Sequence, residues 1–103
     1  MAYSLFITQN ADDELAGIVD YIANHLDNPK AAGDFLDKVE ECYERLTENP
    51  KIYQLCDYQD FKEKGYRKVI IKNYVLLFRI DEDTDTVYIL HAFFGRQDYY
   101  SMI

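Results

Sequence analysis

Basic side chains that could bind a phosphate are concentrated in one segment of this 103-residue chain. Between positions 61 and 80 a single acidic residue, Glu63, stands among six cations: Lys62, Lys64, Arg67, Lys68, Lys72 and Arg79. The planar guanidinium fork of arginine fits phosphate oxygens. Screening over about 8 Å at physiological salt lets a bound polyanion sense this segment more than the whole chain. The pattern indicates an anion-binding region in the second half of the sequence.

The rest of the chain is acidic. Residues 1–60 hold four basic and thirteen acidic residues, a net of −9, whereas residues 61–103 hold seven basic and six acidic, a net of +1. The formal net charge of −8 argues against broad, non-specific nucleic-acid binding. With 49% apolar residues, two prolines and four glycines, the composition predicts one folded domain over residues 1–103.

Targeting, metal and cofactor signals are missing from the sequence. The acidic residues Asp12, Asp13 and Glu14 come too early for a signal peptide, and no apolar stretch approaches the roughly 20 residues that span a bilayer. Cys42 and Cys56 have no CxxC spacing and no neighbouring histidine, so we expect reduced, partly buried thiols. The sequence therefore predicts a cytoplasmic protein with no membrane contact, no metal and no cofactor.

Apolar periodicity in the first half predicts a strand and two helices. Tyr3–Thr8 is β-prone, and Asn10 is a plausible N-cap for the helix that follows. The inner stripe of that helix is predicted to be Ala11, Leu15, Ile18, Ile22 and Leu26. The second helix, which ends before Pro50, is predicted to bury Ala32, Phe35 or Leu36, Val39, Tyr43 or Cys42, and Leu46. The short connection between the helices implies an antiparallel hairpin.

The second half changes to strand periodicity. Tyr66–Lys72, Tyr74–Ile80 and Thr86–Phe94 are predicted to form a three-stranded antiparallel meander, whose edge the first strand joins. The fold class is therefore α+β, of order β-α-α-β-β-β, with the helices on one face and the other face at least partly open. Alternation places Tyr74, Leu76, Phe78 and Ile80 toward the helices and Arg79 on the free face. It leaves open whether Arg67, with Val69 and Ile71, shares that free face.

Taken in order, these segments resemble the RelE/ParE superfamily of toxins from type II toxin–antitoxin systems, over essentially the whole chain. The motifs that carry the resemblance are Ala11-Asp12-Asp13-Glu14-Leu15, Ala31-Ala32 with Phe35, Leu46 with Asn49-Pro50, Gly65-Tyr66-Arg67-Lys68-Val69, Asn73-Tyr74-Val75-Leu76-Leu77-Phe78-Arg79-Ile80-Asp81, Val87-Tyr88-Ile89-Leu90-His91 and Gly95-Arg96-Gln97-Asp98-Tyr99. The specific feature is the ordered set at the right spacing.

The resemblance implies a cognate antitoxin that wraps and silences the toxin in a hetero-oligomer. It also implies one of two activities. RelE-like members cut messenger RNA in the ribosomal A site, and this is the first hypothesis for the present chain. ParE-like members inhibit DNA gyrase without known nuclease chemistry, and the long helical hairpin is more similar to theirs. A third hypothesis is a weakly toxic module that is kept as an antitoxin partner.

RelE-like toxins cut RNA largely with basic residues and a tyrosine, so the resemblance also implies site residues. Metal-free cleavage needs a base, cations around the pentavalent phosphate and an acid for the leaving oxygen. The implied catalytic set is Arg67, Arg79, Arg96, His91 and Tyr99 (or Tyr100). The implied RNA- or target-binding set is Lys62, Lys64, Lys68 and Lys72. His91 is suited to acid–base work because imidazole titrates near neutral pH.

Two positions depart from the RelE pattern. Val75 follows Tyr74 where that pattern has an arginine on the scissile phosphate, and Gln97 follows Arg96 where a second basic residue is frequent. Losing one such cation can cost orders of magnitude in rate.

Structural roles are the alternative for each site residue. Arg67 could pair with Asp57 or Asp60, Arg79 with a neighbouring strand, and Arg96 with Asp98. His91 falls in phase with Val87, Ile89 and Phe93, which favours a hydrogen-bonded core histidine. Tyr99 and Tyr100 could pack at an edge or contact the antitoxin, and the lysines could lie in an exposed loop. With −9 on the helical half, antitoxin binding should rely on apolar groove contacts or on a basic antitoxin segment.

Overall fold

The computed structural model describes residues 2–95, and the element order agrees with the predicted α+β architecture. The elements are β1 (Ser4–Ile7), α1 (Gln9–Asp20), α2 (Pro29–Glu48), α3 (Gln59–Glu63), β2 (Arg67–Ile71), β3 (Tyr74–Asp81) and β4 (Thr86–Phe94). A π-helical turn at Tyr21–His25 prolongs α1, and a 3-10 turn at Pro50–Ile52 follows α2. The short helix α3 and the π-helical turn are additions to the predicted order.

Within residues 2–95 the four strands form one sheet of order β1-β4-β3-β2. Strands β2, β3 and β4 form the predicted antiparallel meander. Strand β1 joins its edge, as predicted, and runs parallel to β4 with Leu5 beside Val87. The turn between β2 and β3 contains only two residues, and Lys72 adopts a left-handed φ of 56° there.

Side-chain caps determine where the two long helices begin. The Thr8 hydroxyl accepts a hydrogen bond from the Ala11 amide at 3.2 Å, so α1 is capped two residues before the predicted Asn10. Helix α2 is capped at Asn28, whose side-chain oxygen accepts from the Ala31 amide at 3.1 Å. Both caps satisfy amides of the first turn that have no partner inside the helix.

The main core lies between the helical pair and one face of the sheet. Its buried members are Ala11, Leu15, Ile22, Ala32, Phe35, Val39, Cys42, Leu46, Val69, Ile71, Leu76, Phe78, Val87, Ile89 and Ala92. The predicted inward face of β3 is therefore confirmed. Helix α2 buries Phe35 and leaves Leu36 exposed, and it buries Cys42 while Tyr43 packs against the core half-buried. Leu26, predicted to be inside, is 54% exposed because it follows the wider π-helical turn, which shifts the helical phase.

A second, smaller core covers half of the opposite sheet face. Cys56, Phe61, Val75, Leu77 and Phe93 are buried there, with Tyr66 and Leu90 packed against them. The segment between α2 and β2 therefore lies over this half of the sheet, which the sequence did not predict. The other half of the face stays open, and Phe6 on it is 55% exposed.

Candidate functional site

Arg67 and Arg79, the two predicted catalytic arginines inside the described chain, lie on opposite faces of the sheet. Arg67 pairs with Phe78 and therefore shares its helix-side face, whereas Arg79 follows Phe78 and faces the other way. The Arg67 guanidinium donates a 2.6 Å hydrogen bond to the Tyr53 carbonyl. The Arg79 guanidinium lies over the Tyr88 ring, 4.4 Å from its centre. The two cations cannot converge on one phosphate in this arrangement.

A β-bulge determines where His91 points. Leu77 pairs with His91 while Phe78 pairs with Ile89, so Leu90 is an extra residue on β4. His91 and Phe93 consequently lie on the face away from the helices, and their rings stack with centres 5.4 Å apart. The prediction that His91 shares a face with Val87 and Ile89 is therefore wrong.

Glu14 on α1 holds the His91 ring, a contact that the sequence did not reveal. Its Oε1 atom lies 3.0 Å from His91 Nδ1 and accepts the Ala92 amide at 3.2 Å. Strand β1 stops at Ile7, so the edge of β4 beyond it has no strand partner and a side chain from α1 fills that place. A carboxylate oxygen accepts, so the 3.0 Å contact is a hydrogen bond in which the His91 Nδ1–H donates to Glu14. Arg67 and Arg79 contact other groups, so neither arginine joins His91 and Glu14.

The predicted binding lysines do not form one patch. Lys62 and Lys64 are exposed at and just after the end of α3, and the Lys64 ammonium lies 5.8 Å from the centre of the Tyr66 ring. Lys68 is largely buried, with its ammonium 3.7 Å from an Asp57 carboxylate oxygen. Lys72 is exposed in the β2–β3 turn. The suggested ion pair of Arg67 with Asp57 or Asp60 is not found among the described residues, where Arg67 donates to the Tyr53 carbonyl and Asp57 pairs with Lys68.

Several predicted positions fall outside the described residues, namely Arg96, Gln97, Asp98, Tyr99 and Tyr100. Val75, at the position where the RelE pattern has an arginine, lies inside the described chain and is 6% exposed in the second core. This position therefore offers no charged side chain.

Two open grooves flank α1. The first has a volume of about 470 Å³ and is lined by Glu14, Gly17, Ile18, Tyr21, Tyr74, Ala92, Phe93 and Phe94. The second, which we call the helical groove, has a volume of about 560 Å³ and lies between α1 and α2. Leu15, Val19, Leu36 and Val39 form its apolar part, and Asp12, Asp20 and Glu40 supply carboxylates. The buried Tyr43 hydroxyl in this groove has no hydrogen-bond partner among the described residues.

The buried thiols and the buried phenol are poor nucleophiles or bases. Burial raises the pKa of the Cys42 thiol to about 11 and also raises the pKa of Cys56. Burial likewise raises the pKa of the Tyr43 hydroxyl to about 12. All three stay protonated near neutral pH. In the described part of the chain no group of three or more His, Cys, Asp or Glu residues is arranged to hold a metal ion.

Comparison with known proteins identifies a family. The profile of a family described as the ParE toxin of the type II toxin–antitoxin system parDE matches residues 5–99. A search of curated protein sequences gave no match. No helix within residues 2–95 has the length and apolarity needed to cross a bilayer.

Solved structures with the same fold include two from toxin–antitoxin systems. The RelBE2 toxin–antitoxin complex of Mycobacterium tuberculosis matches with a TM-score of 0.64 and 21% identity, over 91% of this chain and 99% of that chain. The chromosomal ParDE system of P. aeruginosa matches with a TM-score of 0.69 and 19% identity, over 89% of this chain and 95% of that chain. At these identities the likeness concerns the fold.

Proposed function

Because this chain belongs to the ParE toxin family of type II toxin–antitoxin systems, we propose that it arrests growth by binding a protein target, DNA gyrase, without cutting RNA. The observation that carries this proposal is the separation of the candidate catalytic groups. Arg67 binds a backbone carbonyl on the helix-side face, Arg79 stacks on Tyr88 on the other face, and His91 is held by Glu14.

RNA cleavage places different demands on a site. A base, at least one phosphate-binding cation and an acid must surround the same phosphate within hydrogen-bond reach. Within residues 2–95 the position that bears an arginine in the RelE pattern is the buried Val75, which offers no charge. A toxin that acts by surface binding needs none of these groups to converge. The arrangement therefore favours target binding over nuclease chemistry.

A supercoiling assay tests this proposal directly. We expect purified toxin, freed from its antitoxin, to inhibit gyrase at micromolar concentration, and added antitoxin to restore supercoiling. Primer extension on messenger RNA after toxin induction should reveal no codon-linked cuts. The substitution H91Q, which removes the imidazole, should leave growth arrest unchanged. Unchanged gyrase activity together with codon-linked cuts that H91Q abolishes would reverse the proposal in favour of ribosome-dependent cleavage.

The partner expected from this family is an antitoxin, and we propose that it covers the helical groove. The groove combines an apolar floor with three carboxylates, and no lysine or arginine of the described chain lines it. An antitoxin segment with apolar side chains and flanking cations would complement both features. A cytoplasmic location is part of the same proposal, since both target and antitoxin are there.

The salt dependence of the toxin–antitoxin complex separates the two contributions. If apolar contacts dominate, the dissociation constant should change little as salt rises, since screening acts on exposed charges only. If charge pairing dominates, affinity should fall steeply with salt, and D20N should flatten that dependence. Either result fits this docking surface, whereas an affinity that L36A leaves unchanged would contradict it.

A further inference from the structure

A row of two aromatic rings and one guanidinium crosses the open half of the sheet face. Phe6 on β1 pairs with Tyr88 on β4, and Tyr88 pairs with Arg79 on β3. The Phe6 and Tyr88 ring centres are 5.6 Å apart at 52°, and the Arg79 guanidinium lies 4.4 Å from the centre of the Tyr88 ring. We call these three residues the Phe6–Tyr88–Arg79 row.

The row is ordered by its own contacts and is partly open to solvent, since Phe6 is exposed and Tyr88 and Arg79 are half-buried. The segment between α2 and β2 packs on Val75, Leu77 and Phe93, which lie on the other half of this face. More than half of the Phe6 side chain is exposed, at 55%. Stacking on Tyr88 restrains the long Arg79 side chain, so binding through it loses less conformational entropy than binding through a free arginine.

Arg79 also has an unused binding capacity. Within residues 2–95 no carboxylate lies within ion-pair distance of its guanidinium. A guanidinium has five N–H donors, so one that lies over an aromatic ring can still form a bidentate pair with a carboxylate. Arginine and aromatic residues are enriched in protein–protein interfaces, and arginine and tyrosine are frequent among the residues that contribute most of the binding free energy.

We infer that the Phe6–Tyr88–Arg79 row is the surface through which the toxin holds its protein target. Its ligand is a segment that presents an aspartate or glutamate carboxylate to Arg79 and an apolar side chain to Phe6. This inference rests on the proposed function, because it assigns a location and a chemistry to the target contact.

The charges around the row favour a protein carboxylate over a nucleic acid. Asp81 follows Arg79 by two residues on the same side of β3, and Asp83 and Asp85 lie in the adjoining turn, where Glu82 is paired with Lys51. A nucleic-acid strand carries a negative charge at every nucleotide and would meet these acids as well as Arg79. A single carboxylate can bind the one cation without extending over the acidic turn.

Two substitutions in the row and one outside it test the inference. F6A removes the exposed ring, and R79Q removes the charge but keeps a polar side chain. L26A is the matched control, because Leu26 is 54% exposed, close to the value for Phe6. It lies in the chain connection that leads from the π-helical turn to α2. Each protein is first tested for its circular dichroism, its melting temperature and its binding to the antitoxin. Gyrase inhibition and growth arrest are then measured at equal toxin level.

We expect F6A and R79Q each to raise the toxin concentration for half-inhibition by about tenfold or more, as truncation of an interface hot spot does. L26A should behave as the wild type, and antitoxin binding should be retained by all three. R79K, which keeps the charge without the planar fork, should fall between R79Q and the wild type. If R79Q loses its fold, F6A still tests the surface, because its side chain is mostly in solvent.

The outcomes separate this inference from the proposed function. If the wild type inhibits gyrase and F6A inhibits equally well, the inference is overturned and the proposed function stands. If the wild type leaves gyrase unaffected but arrests growth, and F6A does not arrest it, the gyrase proposal fails and the surface stands for another protein. Loss of codon-linked messenger RNA cuts in F6A would overturn the inference, since the row would then hold RNA. A wild type that affects neither gyrase nor growth overturns both.

Discussion

The ring of Phe35 packs helix α2 against the sheet, so its removal should destabilise the fold. Phe35 is 2% exposed on the inner stripe of α2. Its ring meets the Tyr74 ring edge-on, with centres 5.1 Å apart. Replacing Phe35 with alanine removes a whole ring from the interface of α2 and β3, and the rigid neighbours on the sheet can close only part of the space.

The expected loss follows from burial and from the ring contact. Core Phe→Ala substitutions cost about 3–5 kcal/mol, through lost transfer free energy and the cavity that remains. An edge-on aromatic pair contributes roughly 0.5–1.5 kcal/mol within that range. A chain of this size has a total stability of about 5–15 kcal/mol. We therefore expect F35A to lose about 3–5 kcal/mol and to melt roughly 12 °C or more below the wild type.

Urea unfolding followed by far-ultraviolet circular dichroism measures this loss. If the free energy of unfolding falls with urea concentration at the same slope in both proteins, the substitution has not changed the unfolded state. The control is L36A, at the next position of α2, where the side chain is 43% exposed. We expect L36A to cost about 1 kcal/mol or less and to weaken antitoxin binding through the helical groove. Equal losses for the two variants, or a loss below about 1.5 kcal/mol for F35A, would refute the packing of α2 described above.

Three further predictions concern Glu14, Lys72 and Cys42. E14A removes the acceptor of the Ala92 amide and of His91, so we expect a loss of about 1–2 kcal/mol in urea unfolding, with E14Q intermediate; wild-type stability in E14A would contradict these bonds. K72G relieves the left-handed φ of 56° and should raise stability by about 0.5–1 kcal/mol, whereas a lower melting temperature would contradict the turn geometry. Burial raises the pKa of Cys42 from 9.0 to about 11, so the unfolded chain loses this proton first and stability should fall as pH rises between these values. C42A should show a smaller fall in stability over this pH range than the wild type. An equal fall in both proteins would mean that other groups cause it.

The order of elements was readable from the sequence because local signals agree. Asn28 and Pro29 mark the beginning of α2, Pro50 its end, and the change of period at Tyr66 the beginning of the meander. The same signals carry the family resemblance, which the family profile confirms over residues 5–99. The sequence did not decide between neighbours such as Phe35 and Leu36, since both fall near the apolar stripe. In the structure Phe35 packs on Tyr74 and is buried, whereas Leu36 is 43% exposed.

The candidate site was less predictable than the fold, because it depends on register. Alternation in β4 assigns His91 to the face of Ile89, but one extra residue at Leu90 reverses that assignment. Arg67 could have faced either way until its pairing with Phe78 placed it toward the helices. The contact between Glu14 and His91 joins residues 77 positions apart, so no local pattern contains it.

The basic segment between residues 61 and 80 was evident from composition, because charge and residue type are properties of the chain itself. The tertiary structure determines whether those cations can act together. Strand register places Arg67 and Arg79 on opposite faces of the sheet, and the segment before β2 brings Asp57 to Lys68. Sequence thus determined the elements, the charge asymmetry and the family, all of which arise from local preferences summed along the chain. Tertiary structure decided which side chains meet, since strand register and the bulge at Leu90 depend on pairing between distant segments.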